Sequence, residues 1–357
     1  MIETVCKNLY GFSLPLLFLV VSLPCAALQQ QEIRFGVLGL FHPREMVLEQ
    51  GSSQVVSIRS NGEAGTAQVL NGESGHREIV LRVAGSHVTA GSASASSWTA
   101  TARDGSPVAF RLIVPGKIRR IYFGRLTILA RNGELVAVAA MDRETAVASI
   151  VAAEMDENDP LEALKAQAVA TRSFLTAGPR HKDFDFCDST HCQFLRSPPA
   201  GTSRAFAAVA ATRGLVLEYR GTPLAALYSS RCGGHTRDLR ETGMEPGEEY
   251  PYYGVPCAWC RDHPLVWRSK VAGSAQAPKP GDEPQRILQA RQFGWSAIPG
   301  NDFTVAEDGR GWQLAGHSIG HGVGMCQHGA SGMAASGAGF REILAHYYPN
   351  TTLVLHP

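Results

Sequence analysis

A short stretch of the chain, HKDFDFCDSTHCQ, brings together residue types that bind metal ions. It contains His181, Cys187, His191 and Cys192. Thiolates combined with imidazole select Zn²⁺, which takes four tetrahedral ligands, or three protein ligands and an open position. The spacing of His181, Cys187 and Cys192 suits a loop folded around an ion, with His191 as a fourth ligand or a supporting neighbour. A local disulfide between Cys187 and Cys192 accounts for the same residues, so the pattern leaves both interpretations open.

A glutamate upstream of this loop is a candidate general acid. Val147, Ile150, Val151 and Glu154 fall at i, i+3, i+4 and i+7, which places Glu154 on the apolar face of a helix. Burial there would raise the pKa of its carboxyl toward a value useful for proton donation. The alternative is a glutamate at a helix boundary whose carboxylate reaches water.

Two helices must position these residues. The first is predicted over Arg143–Met155, and the segment DPLEALKAQAVATRSFLTAG predicts a second. In that second helix Asp159 is the expected N-cap, Pro160 takes the first helical position, and Gly178 follows the end. Glu162 lies three residues after the cap, where a carboxylate binds the cap backbone, so its expected role is structural.

A second group of cysteines is spread over the last third of the chain. Cys257 and Cys260 form a C-x-x-C pair, and Cys232 and Cys326 lie on either side of it. Such a set is compatible with a Cys₄ zinc site, two disulfides or a redox pair. Disulfides are favoured here, because outside the cell the binding of a metal by four thiolates competes with oxidation of the thiols.

The N-terminus and the charge balance bear on compartment and partners. The apolar run GFSLPLLFLVVSLPCAAL before QQQ predicts a secretory signal peptide over residues 1–27, with a retained membrane anchor as the alternative. The chain has 33 basic and 32 acidic residues, a net charge of +1. A chain with so little net charge does not attract nucleic acid or an anionic membrane by long-range electrostatics. Nucleic acid is therefore not an expected partner, and a membrane is expected only as the alternative for the N-terminal segment.

The remaining sequence divides by its patterning. Residues 28–120 alternate apolar and polar positions in short runs, which predicts a small β-rich accessory module; the Ser/Ala/Gly-rich part near residues 85–102 is expected to be a loop or flexible hairpin. Residues 121–357 mix helical and strand patterns. The predicted fold class is α+β, with helices packed on a mixed β-sheet in this second region.

Four motifs, in this order, resemble the stage II sporulation protein D (SpoIID) family, which includes the amidase-enhancer proteins of bacterial cell walls. They are IVAAEMDENDPLEALKAQAVATRSF, HKDFDFCDSTHCQ, YSSRCGGHT and HGVGMCQHGASGM. The likeness runs from about Tyr122 to Pro357, and the N-terminal β-rich region has none. One departure is E-M-D after Glu154, where the family usually has E-M-P.

The resemblance implies a secreted peptidoglycan enzyme, a lytic transglycosylase that cleaves glycan strands stripped of stem peptides and leaves 1,6-anhydro-N-acetylmuramic acid ends. It implies Glu154 as the catalytic acid and Zn²⁺ at His181, Cys187 and Cys192 in a structural role. By motif position, the residues expected to bind the glycan are Tyr228, Ser229, Ser230, Thr236, His321 and Gln327. Two alternatives are a non-catalytic enhancer that binds glycan or a cell-wall amidase, and a hydrolase that uses the zinc.

Overall fold

A large β-sheet built mainly from the first part of the chain supports the helices. The computed structural model describes residues 32–50, 56–61, 67–70, 78–244, 250–272 and 277–356. The sheet strands are Glu32–Val37 (β1), Glu45–Gln50 (β2), Val56–Asn61 (β3), Ala67–Leu70 (β4), Glu78–Ala84 (β5), His87–Ala90 (β6), Ala93–Ala95 (β7), Ser97–Ala102 (β8), Val108–Val114 (β9), Ile118–Arg131 (β10), Glu134–Asp142 (β11) and Phe186–Cys187 (β12).

The strand order brings the two ends of this region together. Along the main path it is β12-β1-β11-β10-β9-β2-β5-β6-β7, with β8 paired to β10 and to β3, and β4 paired to β3. β1 pairs antiparallel with β11 on one side and parallel with β12 on the other. In β9 buried and half-buried residues alternate along VAFRLIV, the period expected of a strand with one face on a core.

Seven helices and eight further strands complete the described part of the chain. The helices are Arg143–Glu154 (α1), Leu161–Thr176 (α2), Arg204–Ala211 (α3), Ala258–Asp262 (α4), Glu283–Phe293 (α5), Gln327–Ala335 (α6) and Phe340–Tyr347 (α7). The strands are Leu215–Tyr219 (β13), Thr222–Pro223 (β14), Tyr228–Ser229 (β15), Trp267–Ala272 (β16), Phe303–Glu307 (β17), Gly311–Gly316 (β18), Met325–Cys326 (β19) and Thr352–Leu355 (β20).

The α+β class is confirmed. One core cluster extends from Ile33 in β1, through the buried faces of α1 and α2, to Tyr348 after α7. The predicted boundary between residues 120 and 121 falls inside β10, and strands from both sides of it share the sheet. The separate accessory role of residues 28–120 stays a prediction.

Two segments are more regular than the sequence predicts. The stretch expected to be a loop or hairpin forms β6, β7 and β8, and Trp98 in β8 is fully buried with its indole N–H donated to the carbonyl of Val88 at 2.9 Å. Strands β16, β18 and β17 form a small sheet with its own core, in a polar region rich in Pro and Gly whose pattern does not predict a sheet. β6 and β7 pair with each other as a hairpin, but β8 pairs with β3 and β10 and β16 pairs with β18, and local composition does not reveal these more distant partners.

The start of α2 differs from its predicted cap. Pro160 takes the N-cap position, and the Asp159 carboxylate instead accepts hydrogen bonds from the Asp156 amide at 3.0 Å and the Ser331 hydroxyl at 2.8 Å. Glu162 is structural, but it accepts from the amide of Phe340 at 2.9 Å, the first residue of α7. The carboxylate therefore satisfies a helix terminus in another part of the chain.

The predicted signal peptide, residues 1–27, lies outside the described residues. Within the described ranges, none of the helices is long and apolar enough to cross a membrane.

A buried arginine connects the helices, and its loss should destabilise the fold strongly. Arg172 in α2 is fully buried; it donates to both carboxylate oxygens of Glu144 at 2.8 and 2.7 Å and to the carbonyl of Leu215 at 3.1 Å. We expect Arg172→Ala to lower the free energy of unfolding by about 3–5 kcal/mol, because it leaves a carboxylate without its partner. Urea denaturation measures this. Arg172→Ala with Glu144→Ala should recover part of the loss, and equal losses for the single and double variants would contradict the argument.

Candidate active site and metal-binding loop

A cleft of about 730 Å³ lies between the helical region and the loops that follow it. Glu154, the last residue of α1, lines this cleft. The other lining residues are Phe174, Thr190, His191, Cys192, Gln193, Phe194, Leu227, Tyr228, Ser229, Ser230, Met244, Glu283, Pro284, Arg286, Ile287, Leu288, Arg291, Gly320, His321 and Gln327. A mixture of apolar walls and a few convergent polar groups is typical of ligand-binding sites.

The carboxyl group of Glu154 is partly buried and hydrogen-bonded. Burial raises its pKa above the ordinary value, and this effect is opposed by the hydrogen bond from Gln327, the charge of Arg196 and the backbone amide of Phe194. Gln327 Nε2 lies 3.3 Å from Glu154 Oε2. A carboxyl whose burial favours the protonated form, with hydrogen-bond donors positioned to stabilise its anion, suits alternating proton donation and acceptance.

Behind Glu154 a chain of buried polar side chains fixes this geometry. Gln327 Nε2 also donates to Gln167 Oε1 at 3.4 Å, and Gln167 Nε2 donates to Thr171 Oγ1 at 3.2 Å. Tyr228 donates its hydroxyl to Gln193 Oε1. Gln167, Thr171 and Gln193 are absent from the sequence-predicted site. The sequence feature that could have indicated two of them is that Gln167 and Thr171 are polar residues at i and i+4 on the buried face of α2.

Five of the six predicted glycan-binding residues line the cleft, and Thr236 does not. The Thr236 hydroxyl accepts from the amide of Val255 at 2.9 Å, and the residue is 1% exposed, so it links two segments of the chain outside the cleft. Ser229 also has structural partners: it donates to the carbonyl of Ile319 at 3.0 Å and accepts from the amide of Gly322 at 3.0 Å. Of the two serines, Ser230 is the exposed one.

His321 is held in its neutral form. Its Nδ1 accepts from the amide of Val323 at 3.0 Å, and burial lowers the pKa of the ring. Since Nδ1 accepts, the ring proton is on Nε2, which can donate to a ligand or to the backbone.

Glu283 and Arg286 of α5 line the same cleft and were not predicted. Arg286 donates to both oxygens of Glu283, at 2.7 and 2.6 Å, and the two side chains are almost fully buried. The carboxylate of Glu283 is therefore neutralised by a bidentate ion pair. Asp156, Glu157 and Asp159, the carboxylates that follow Glu154 most closely in the sequence, are not among the lining residues.

The loop after α2 gathers the predicted metal ligands. The ligand atoms of His181, Cys187, His191 and Cys192 all lie within 4.8 Å of one another. His181 Nε2 is 3.2 Å from Cys192 Sγ, and His191 Nδ1 is 3.4 Å from Cys192 Sγ and 3.7 Å from Cys187 Sγ. A tetrahedral Zn²⁺ with ordinary bond lengths has sulfur–nitrogen edges of about 3.5 Å. The four ligand atoms are therefore close enough together to hold a metal ion, with His191 as a candidate fourth ligand, and both cysteines are free thiols.

The N-terminal strands hold this loop in place. β12, which contains Cys187, pairs in parallel with β1 over Phe35–Phe186 and Gly36–Cys187. Asp188 is buried, accepts from the Tyr122 hydroxyl at 2.5 Å and from Arg120 at 3.2 Å, and thereby joins the loop to β10. The loop that carries the metal ligands is therefore built on a region that the sequence assigns to a separate module.

Comparisons with known proteins agree with this site. The sequence model of the family described as Stage II sporulation protein matches residues 131–219, which include Glu154 and the four loop ligands. Stage II sporulation protein D of Bacillus subtilis is 26% identical over 257 residues, 59% of this chain and 74% of that protein. An uncharacterised protein of Brachyspira hyodysenteriae is 29% identical over 268 residues, 65% of this chain and 72% of that protein. The amidase enhancer of Bacillus subtilis is 44% identical over 50 residues, 14% of this chain and 7% of that protein.

Residues 131–219 of the chain therefore match the stage II sporulation protein family, and the chain is similar to stage II sporulation protein D and, over a short stretch, to the amidase enhancer.

The burial of Glu154 predicts a pH-dependent stability. Its folded-state pKa is raised by burial, so ionisation destabilises the fold, and this cost grows as the pH rises from the unfolded pKa, about 4.3, through the folded one. We expect Glu154→Gln to have a higher Tm than wild type at pH 8 and the same Tm below about pH 4. Thermal unfolding across pH measures this. Glu157→Gln, at an exposed position nearby, should show no trend; a pH-independent offset for Glu154→Gln would contradict the assignment.

Proposed function

We propose that the protein is a peptidoglycan lytic transglycosylase that acts outside the cytoplasm on glycan strands stripped of stem peptides. Similarity to stage II sporulation protein D and to the amidase enhancer supports a cell-wall-related role. The finer assignment is supported by the cleft, which is large enough for sugar rings and contains a carboxyl group suited to acid–base work.

The observation that carries the proposal is that Glu154, unlike the other carboxylate of the cleft, has no ion-pair partner among the described residues. Of the two carboxylates that line it, Glu283 is occupied by Arg286, and Glu154 has no ion-pair partner within bonding distance among the described residues. Hydrolysis of a glycosidic bond ordinarily uses two carboxylates on opposite sides of the sugar. One carboxyl suffices when the sugar's own 6-hydroxyl captures the anomeric carbon.

In this reaction Glu154 would serve both steps. The protonated carboxyl donates to the glycosidic oxygen as the bond from C1 of N-acetylmuramic acid to N-acetylglucosamine breaks. The resulting carboxylate then accepts the proton of the muramoyl 6-hydroxyl as that oxygen bonds to C1, which gives the 1,6-anhydro ring and restores the acid. Gln327 and the amide of Phe194 hydrogen-bond to the carboxylate and stabilise it between the steps.

The four-residue loop site suits a structural ion. Two thiolates and two imidazoles complete a tetrahedral set, with no protein ligand missing. Zn²⁺ bound there would cross-link the loop. That loop continues into Gln193 and Phe194, which contact Tyr228 and Glu154 respectively.

Product analysis tests the proposal. Purified wild-type protein and Glu154→Gln would each be incubated with peptide-stripped peptidoglycan and with intact peptidoglycan, and the released glycan examined by mass spectrometry. We expect 1,6-anhydro-N-acetylmuramic acid ends from wild type on the stripped substrate and none from the variant.

The other outcomes discriminate between the alternatives. Reducing ends would show hydrolysis and refute the transglycosylase assignment. A non-catalytic enhancer would be identified if neither protein released glycan and Glu154→Gln stimulated a cell-wall amidase as strongly as wild type does.

A further inference from the structure

Four cysteines from distant parts of the chain meet in the core. Cys232, Cys257, Cys260 and Cys326 are all buried, and their sulfur atoms lie within 4.8 Å of one another. All four are free thiols. The sulfur atoms of Cys260 and Cys326 are 3.5 Å apart. This is close to the sulfur–sulfur distance of about 3.8 Å in a tetrahedral Zn²⁺ site with four thiolate ligands.

From this cluster we propose a second metal site, in which the four thiolates bind one structural Zn²⁺. Binding would displace the thiol protons and form four metal–sulfur bonds, so the reaction needs no oxidant. A closed set of four sulfur ligands, shielded from solvent, leaves no position for substrate or water. Two disulfides would use the same residues, but they require only pairwise contact. Here all four sulfur atoms are mutual neighbours.

The surroundings of the cluster are adapted to buried sulfur. Cys326 is the N-cap of α6, and its Sγ accepts from the amide of Gly329 at 3.3 Å. The hydroxyl of Tyr347 lies 3.4 Å from Cys257 Sγ and can donate to a thiolate there. A Cβ atom at Gly329 would be 2.5 Å from Cys257 Sγ, so this position must be glycine for the sulfur to fit. Hydrogen bonds of this kind orient metal ligands and stabilise their charge.

The site would also position a residue of the cleft. Cys326 immediately precedes Gln327, whose side chain donates to Glu154, and Cys232 follows the strand that contains Tyr228 and Ser229. An ion bound to Cys326 and Cys232 would fix both segments relative to α4, which carries Cys260. The binding itself does not depend on the proposed glycan cleavage.

Metal analysis of the full chain, purified under reducing conditions, tests the site. We expect two zinc ions per chain in wild type, one in Cys187→Ser with Cys192→Ser, and one in Cys232→Ser with Cys326→Ser. If the last variant fails to fold, Co²⁺ provides a second measurement. In the Cys187→Ser, Cys192→Ser background, whose core cluster is intact, the spectrum should show a tetrahedral ion with four thiolate ligands.

Three results would overturn the proposal. The first is a single zinc in wild type that disappears when Cys187 and Cys192 are replaced. The second is a Co²⁺ spectrum without thiolate charge-transfer bands in that background. The third, for protein purified without reductant, is an intact mass with the deficit of two disulfides and no titratable thiol at the four core cysteines. Because none of these measurements uses glycan, the site can stand or fail independently of the catalytic assignment.

Discussion

Glu154→Gln should lower the rate of glycan cleavage by about 10²- to 10⁴-fold, the usual contribution of a general acid–base group. The amide keeps the shape of the side chain and still accepts a hydrogen bond from Gln327, but it cannot donate a proton to a leaving oxygen. Binding of stripped glycan should change little. Single-turnover cleavage and a separate binding measurement distinguish these effects, with Glu157→Gln as the matched control because that glutamate is exposed and outside the cleft.

The pH profile adds a check that a structural effect would not reproduce. Cleavage begins with protonated Glu154, so activity should fall as the pH rises through its raised pKa. The hydrogen bond from Gln327 lowers that pKa, and removing it with Gln327→Leu should move the alkaline limb to higher pH. A profile that does not move, or a Glu154→Gln variant with wild-type rate, would exclude Glu154 as the acid.

Local patterning was sufficient for the parts of the site that lie within one helix or one loop. The apolar stripe that ends at Glu154 predicts α1 and leaves open whether the carboxyl is buried or reaches water; the structure has the helix, and the carboxyl is partly buried at its end. The spacing of His181, Cys187 and Cys192 predicts a loop that folds on itself, which is how the ligands meet. The loop ligands are close in sequence, so their spacing contains the information; the helical period gives α1, but the groups around the Glu154 carboxyl, Gln327 and Phe194, are distant in sequence.

Contacts between segments that are distant in sequence cannot be predicted from the local pattern. Glu162 has the sequence context of a cap for its own helix, yet its partner is Phe340, 178 residues later. The sequence favours disulfides over a Cys₄ zinc site for Cys232, Cys257, Cys260 and Cys326 only on the ground of oxidation outside the cell, because no local pattern shows that the four sulfur atoms are mutual neighbours. The pairing of β1 with β12 likewise depends on chain topology, since a parallel pair needs a long connection.

This pairing changes how the N-terminal region is understood. A sequence with alternating strands and no titratable constellation predicts an accessory module, because function is expected where chemistry-bearing residues lie. The structure shows that Phe35 and Gly36 pair with the loop and that Arg120 and Tyr122 hold Asp188 within it. The strands carry no candidate catalytic group, yet they support the loop that reaches the cleft.

Replacing both Cys187 and Cys192 by serine should cause the largest loss of stability. The free energy of binding a structural zinc is on the order of 10 kcal/mol and contributes directly to folding, so losing two thiolates should lower the Tm more than Arg172→Ala does. We expect hydrogen exchange to show lost protection over residues 181–193, and chelation of the wild-type protein to have the same effect. Lys182→Ala, an exposed non-ligand in the same loop, is the control.

The variant that lacks Cys187 and Cys192, together with chelated wild-type protein, distinguishes a structural ion from one that takes part in the reaction. If the ion supports the loop, cleavage should fall together with the protection of Gln193 and Phe194, because these residues contact Tyr228 and Glu154. Tm, protection and cleavage should then recover together when Zn²⁺ is returned to chelated wild-type protein. A chelated protein that keeps its Tm and its protected loop but no longer cleaves glycan would instead assign the ion to the reaction. Water activation by the metal would then replace Glu154 as the centre of the mechanism.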